Sequence, residues 1–314
     1  MITVVGEALL DLVADAAGRS FAAHPGGSPA NVAVGLARLG TPVSLATQLA
    51  DDLAGRLVSS HLRDSGVVLD SLPSRTDSTS LALAAVDGHG VASYDFRLAW
   101  DITRGPYVDP RCVCLHTGSI AAAFPPGAAV VDETIAQHHA AGLTISYDPN
   151  IRPSLIGPRE SERARVERQV TRSDVVKTSA EDLEWLYPDE PLETVAERWL
   201  ATGPALVVVT LGANGAHALS RSGSLTRPPM PVTVVDTVGA GDAFMAGLLD
   251  GLFEAGLLGA EHRTDLAGVD AATVVQVVDL ATRVAGITCG RPGAQPPTRA
   301  ELDAYDSTHP GAAG

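Results

Sequence analysis

The chain has 314 residues, of which 45% are hydrophobic and only 4% aromatic, and its 37 acidic against 22 basic side chains leave a net charge of −15. Such a chain is globular with a core of small aliphatic groups, not disordered, and its length allows one or two domains. The acidic excess argues against nucleic acid as a partner, because no basic surplus exists to neutralise phosphates.

The first residues, M-I-T-V-V-G-E-A, carry no basic n-region and no signal-length apolar run. No run of about 20 apolar residues is free of polar breaks, so no membrane span is expected. Three cysteines, Cys112, Cys114 and Cys289, read with that N-terminus as reduced thiols of a cytoplasmic protein. Ile2 to Val5 reads as a strand ending at Gly6-Glu7. Ser28-Pro29-Ala30-Asn31 opens a helix, with Ser28 as N-cap and Pro29 at the first helical position, and Gly40 closes it. Val43 to Ala46 is the next strand and Asp52 to Asp64 the next helix. Leu81 to Val86 and Val91 to Phe96, joined by D-G-H-G, form a β-hairpin.

Val113 to His116 and Thr144 to Tyr147 are apolar strands separated by a helix from Gly127 to Ala141, whose His138-His139 pair reads as a solvated end. C-V-C-L-H reads as part of a buried strand, not as a metal cluster. Val175-Val176 and the continuous run Leu206 to Thr210 are further strands, the second covered on both faces. Glu181 to Leu186, the segment after Asp242, and Ala271 to Gly286 are helical, and S-T-H-P-G-A-A-G is a frayed tail. Strand and helix alternate, which predicts an α/β sandwich with a mostly parallel sheet. Residues 12–24 and 80–98 break the alternation and read as an inserted lid over the carboxyl ends of the strands.

The densest chemistry is D-T-V-G-A-G-D-A-F, Asp236 to Phe244. Val232 to Val235 reads as a strand, and Gly239, Ala240 and Gly241 then lead into a helix N-terminus. Such a terminus offers unpaired N–H groups and the positive end of the dipole to an anion. Asp242 places a carboxylate where an anion should sit, which makes sense if it takes a proton from a hydroxyl attacking a phosphate. Four other segments reach the same sheet edge: Asp11 in G-E-A-L-L-D-L, Pro25 to Asn31, D-P-N-I-R at Asp148 to Arg152, and T-L-G-A-N-G-A at Thr210 to Ala216. Asp11 and Asn31 suit a ligand rich in hydroxyls.

With P-G-G-S-P-A-N-V-A-V-G-L-A-R-L-G and V-D-T-V-G-A-G-D-A-F-M-A-G, the chain resembles the ribokinase-like (phosphofructokinase B type) sugar kinase family, most nearly its fructokinases, from residue 1 to about 297. The resemblance implies a three-layer α/β/α sandwich with a small β-sheet lid, forming one kinase domain over residues 1–314. It implies ATP and Mg²⁺ as cofactors and a homodimer formed through the lid. The implied catalytic base is Asp242, with Gly239, Ala240 and Gly241 as anion hole. Asp11, Gly27 and Asn31, with Arg97, would bind the sugar, and Lys177, Thr210, Gly212, Gly215 and Gly241 the nucleotide. Relatives hold magnesium through an Asn-x-x-Glu pair, where this chain has Ser179 and Asp182 with Glu181 beside them. The resemblance also implies a potassium site on backbone carbonyls near Asp236 and Val238, and valine stands at 238 where many relatives have threonine. The same scaffold serves 2-keto-3-deoxygluconate kinases, for which Arg97 and Arg152 could face a carboxylate, and nucleoside kinases. A non-catalytic sugar-binding regulator is the reading from another class.

Overall fold

A computed structural model describes residues 1–15, 18–86 and 92–308. The expected D-G-H-G turn and the last six residues of the tail lie outside that set. The strands, in chain order, are β1 (Ile2–Val5), β2 (Leu9–Ala14), β3 (Phe21–Gly26), β4 (Val43–Thr47), β5 (Val68–Ser71), β6 (Ser80–Val86), β7 (Ala92–Arg97), β8 (Cys114–Gly118), β9 (Thr144–Asp148), β10 (Val175–Ser179), β11 (Leu206–Thr210), β12 (Ala216–Ser220) and β13 (Gly223–Arg227). Nine form the main sheet in the order β13-β12-β11-β10-β9-β8-β1-β4-β5. Its pairs are parallel except where β12 meets β11 and β13.

The continuous apolar runs become strands buried on both faces, as the period of two requires. In β11, Leu206 and Val208 enter one core layer while Val207 and Val209 enter the other. The first layer is filled by helices Ser28–Leu39, Leu53–Asp64, Ala240–Glu254 and Ala271–Cys289 through Leu36, Leu62, Leu248 and Val277. Helices Gly127–Ala140, Arg159–Val170 and Leu192–Thr202 fill the second through Ile135, Val166 and Trp199. This is the expected three-layer sandwich. Helix Ala271–Cys289 is long and apolar enough to cross a bilayer by composition. Its Val274, Val277, Val278, Ala281 and Val284 are instead spent on the core.

The second sheet, β3-β2-β6-β7, is the expected lid, with β6 and β7 as an antiparallel hairpin and β2 joined to β6 in parallel. It grows directly from the end of β1. Asp11, His24, Ala82 and Phe96 share one row across it. Ala82 packs in a small core with Leu9 and Ile120, and Ala84 is also buried. These alanines therefore face the chain's own body.

Three local readings also change. Val232 to Val235 is not a strand. Pro228, Pro229 and Pro231 lack N–H groups for a ladder, and Val235 N–H donates to the Cys289 carbonyl at 2.8 Å instead. His138 is buried against the Thr134 carbonyl at 2.9 Å rather than solvated. Ser28 is the first residue of its helix, and the N-cap is Gly27, with no side-chain cap.

Candidate active site

Parallel strands deliver their carboxyl ends to one edge, where β1 stands between β4 and β8 and the connections diverge to opposite sides. Gly6 follows β1, Gly118 ends β8, Asp148 ends β9, Ser179 ends β10 and Thr210 ends β11. The lid begins at this edge.

Asp242 sits at the third position of helix Ala240–Glu254 and is 8% exposed. Gly239 caps that helix in a left-handed conformation (φ 73°) and no side chain caps it. Ala240 N–H closes a turn on the Thr237 carbonyl at 3.2 Å. The N–H groups of Gly241 and Asp242 are those a helix leaves without an intrahelical partner. The other helix at the site, Ser28–Leu39, also lacks a side-chain cap. Both polar residues of its first turn reach Asp242: Ser28 Oγ donates to Oδ1 at 2.6 Å, and Asn31 Nδ2 to Oδ2 at 2.8 Å.

Lys177 and Asp148 form a buried ion pair beside this terminus, with Nζ 2.9 Å from Oδ2. A Cβ at Gly241 would lie 3.0 Å from Lys177 Nζ, so the ammonium sits against the glycine turn. Burial opposes the charge on Lys177, but Asp148, Asp182 and Asp242 outweigh it and raise its pKa. Burial pushes the Asp148 carboxyl up to about 6, with Lys177 pulling the other way. Asp148 Oδ1 is buried without a hydrogen-bond partner.

Asp11 lies on the row of the lid that faces the body of the chain. Its Oδ2 would stand 2.1 Å from a Cβ at Gly26, which explains the first glycine of P-G-G. The second, Gly27 (φ 104°), passes so close to β1's exit that a Cβ would meet the Glu7 carbonyl oxygen at 2.5 Å. Burial raises the Asp11 carboxyl to about 6, with His24 opposing. Nearby, Ser119 (φ 52°) and Asn150 (φ 39°) line a small cavity with Ile120, Arg152 and Leu155. Two left-handed non-glycine residues at one cavity mark backbone held against its preference.

The nucleotide-loop candidates lie two strands away. Thr210 Oγ1 donates to the Thr178 carbonyl at 3.3 Å, and Gly212 (φ 55°) opens an exposed 3₁₀ turn that Gly215 (φ 90°) caps. Asp236 accepts Val238 N–H at 3.0 Å and Gly293 N–H at 2.8 Å, tying the glycine turn to the segment after the last core helix.

Two expected site residues are not free for the roles expected of them. Arg97 pairs across the lid with Leu81, on the face opposite Asp11, and its guanidinium bonds Asp95 at 2.5 Å. The geometry does not bring it to the sugar candidates. Asp182 is 6% exposed and already engaged. Oδ1 accepts Ile151 N–H at 2.7 Å, and Oδ2 accepts Ser179 N–H at 3.1 Å in a capping box. Glu181 is exposed, and no group of three His, Cys, Asp or Glu suited to a metal exists among the described residues. The sequence reading missed the roles of Ser28 and Asp148. A serine before proline looks like a cap, and Asp148 becomes interpretable only once Lys177 lies beside it.

A profile described as pfkB family carbohydrate kinase matches residues 1–301. A fructokinase of Rhizobium leguminosarum bv. trifolii is 38% identical over 262 residues, which are 80% of this chain and 79% of that one. The crystal structure of a fructokinase with bound ATP from Xylella fastidiosa is similar with a TM-score of 0.82 and 27% identity, covering 98% of this chain and 99% of that one. A fructokinase double mutant from Vibrio cholerae O395, in fructose, ADP and potassium ion bound form, gives a TM-score of 0.80 and 29% identity over 97% of each chain.

Proposed function

The chain belongs to the pfkB family of carbohydrate kinases, and on that premise we propose that it transfers the γ-phosphate of ATP to a primary hydroxyl of fructose. The observation that carries this reading is Asp242: a carboxylate at an uncapped helix terminus, held by Ser28 and Asn31, with the Lys177 ammonium beside the same turn. The sugar hydroxyl gives its proton to Asp242 as its oxygen bonds to the γ-phosphorus. The bond from that phosphorus to the bridging oxygen breaks, and ADP leaves. The N–H groups of Gly241 and Asp242 and the Lys177 ammonium stabilise charge on the transferred group. Asp11, Gly27 and Asn31 hold the sugar, and the lid excludes water that would otherwise take the phosphate. The Thr210, Gly212 and Gly215 loop receives the nucleotide.

Magnesium accompanies the nucleotide in this proposal and would neutralise phosphate charge. With Asp182 committed to its cap, the oxygens that suit it are Asp148 Oδ1, which has no other partner, and the exposed Glu181. Potassium is proposed at the carbonyls near Asp236 and Val238, supported by its presence in the Vibrio fructokinase. The three free thiols suit the cytoplasm, where ATP is found. A homodimer through the lid is retained, with its contact moved to edge strand β3, where Phe21 is 49% exposed.

A keto-acid substrate is less well served, because only Arg152 lines the cavity beside the sugar residues while Arg97 is turned away. An ATP-coupled assay over fructose, other hexoses, 2-keto-3-deoxygluconate and nucleosides tests the proposal. Fructose is expected to give the highest kcat/KM, and a preference for the acid or a nucleoside would overturn the assignment.

A further inference from the structure

Serine is among the residue types favoured at helix N-caps, where its oxygen accepts an N–H from the next turn. Ser28 stands one residue too late for that role, and its hydroxyl donates instead to Asp242 Oδ1 at 2.6 Å. Its neighbours fix it on both sides. Gly27 is wedged against the Glu7 carbonyl, where a Cβ would come within 2.5 Å. Pro29 lies on Gly6, where a Cβ would stand 2.2 Å from its Cγ. The helix therefore begins at a place set by backbone contact, and that place aims Ser28 at Asp242.

Resting on the reading of Asp242 as the base, we propose that Ser28 is a positioning residue for the phosphoryl transfer: it fixes the carboxylate plane and accommodates the proton that Asp242 receives. The two donors to Asp242 differ in what they can do next. The Asn31 amide nitrogen can only donate, so it opposes a proton placed between it and Oδ2. The Ser28 hydroxyl is both donor and acceptor. Once the proton received on Oδ1 swings to the side facing Ser28, the hydroxyl turns from donor to acceptor and holds it in a hydrogen bond, with no heavy atom moved. Ser28 touches neither the sugar nor the phosphate in this arrangement and acts through Asp242.

The test is a cycle of purified variants, Ser28→Ala, Ser28→Thr, Asp242→Asn and the double variant S28A/D242N, assayed for kcat and both KM values, with melting temperature recorded for each. Loss of one hydrogen bond to a charged group predicts a fall in kcat of roughly 10- to 100-fold for S28A. Both KM values are expected to stay within about threefold, because uniform binding is untouched. S28T keeps the hydroxyl and is expected to recover most of the turnover. On the D242N background, S28A is expected to change kcat by less than about twofold, as residues acting as one unit are non-additive. An S28A enzyme with unchanged kcat beside an inactive D242N would overturn the positioning role and leave the base intact. An equal loss from S28A with and without Asp242 would overturn it too, since Ser28 would then act elsewhere. Full turnover by D242N would overturn the base reading and this proposal together.

Discussion

Asp242 and Asp11 are both partly shielded carboxylates, and their neighbours separate their roles. Asp242 faces two uncapped helix termini and two donors, so Asp242→Asn is expected to keep sugar and ATP binding by calorimetry while turnover falls about 10²- to 10⁴-fold. Activity within a few-fold of wild type would remove it from the chemistry. Asp11 faces the body of the chain from the lid, with burial raising its carboxyl to about 6. Its deprotonated form is the one that accepts from two hydroxyls. The sugar KM is therefore expected to rise as pH falls through about 6, and to lose that dependence in Asp11→Asn. Asp11→Ala should weaken the sugar by on the order of 1–3 kcal/mol with ATP unaffected. Weakened ATP with intact sugar affinity would reverse the placement of the two ligands.

Glu7, at 2% exposure, accepts the Ala121 N–H at 2.9 Å, and burial pushes it up to about 7 from 4.5. Its folded form holds a proton more tightly than the unfolded chain does. The stability this provides is complete below the unfolded pKa and is lost as pH rises through about 7. Between pH 5 and 8 the wild type is expected to lose roughly 2–3 kcal/mol relative to Glu7→Gln. Urea unfolding at both pH values checks this, and an unchanged difference would show that burial does not control Glu7.

At the scale of elements, the site depends on where two helices begin. The glycine before each helix does different work from the glycine that ends one. Gly27→Ala places a Cβ 2.5 Å from a backbone oxygen at φ 104°, so it must either distort the turn or push the helix back. The expected cost is about 2 kcal/mol or more, with a fall in kcat because Ser28 and Asn31 retreat from Asp242. Gly40→Ala serves as the comparison. It has a similar φ of 90° at the other end of the same helix but open space around it, so it should cost about 1 kcal/mol and leave kcat alone. Equal kcat losses in the two variants, read beside their melting temperatures, would mean that global destabilisation, and not the position of the helix start, limits turnover.

At the scale of the whole molecule, the lid leaves one edge strand open. Its first edge, β3, exposes Phe21 through His24, while its row of Asp11, Ala82 and Phe96 turns inward. Light scattering at micromolar concentration is expected to give about twice the 32.3 kDa chain mass, and Phe21→Asp to halve it. A mass near that of one chain would remove the dimer. A dimer indifferent to Phe21→Asp would move its contact off this edge.

The sequence by itself determined the layers and the chemistry-bearing turn. The run Leu206 to Thr210 reads as a strand covered on both faces, and Gly239-Ala240-Gly241-Asp242 as a turn opening a helix with a carboxylate in its first turn, and both form so. These readings hold because propensity, periodicity and glycine conformation are local. Tertiary structure decided what each polar residue does, because a hydrogen bond between residues 28 and 242 leaves no mark in either neighbourhood. Ser28 has the composition of a cap and the position of a partner. Asp182 has the composition of a metal ligand but is engaged by its own helix and by Ile151. Arg97 falls on the far face of the lid because one residue of register turns a side chain over. Val232 to Val235 has strand propensity, yet three prolines and the Cys289 carbonyl take it out of the sheet, since pairing needs a partner strand that the local sequence cannot supply.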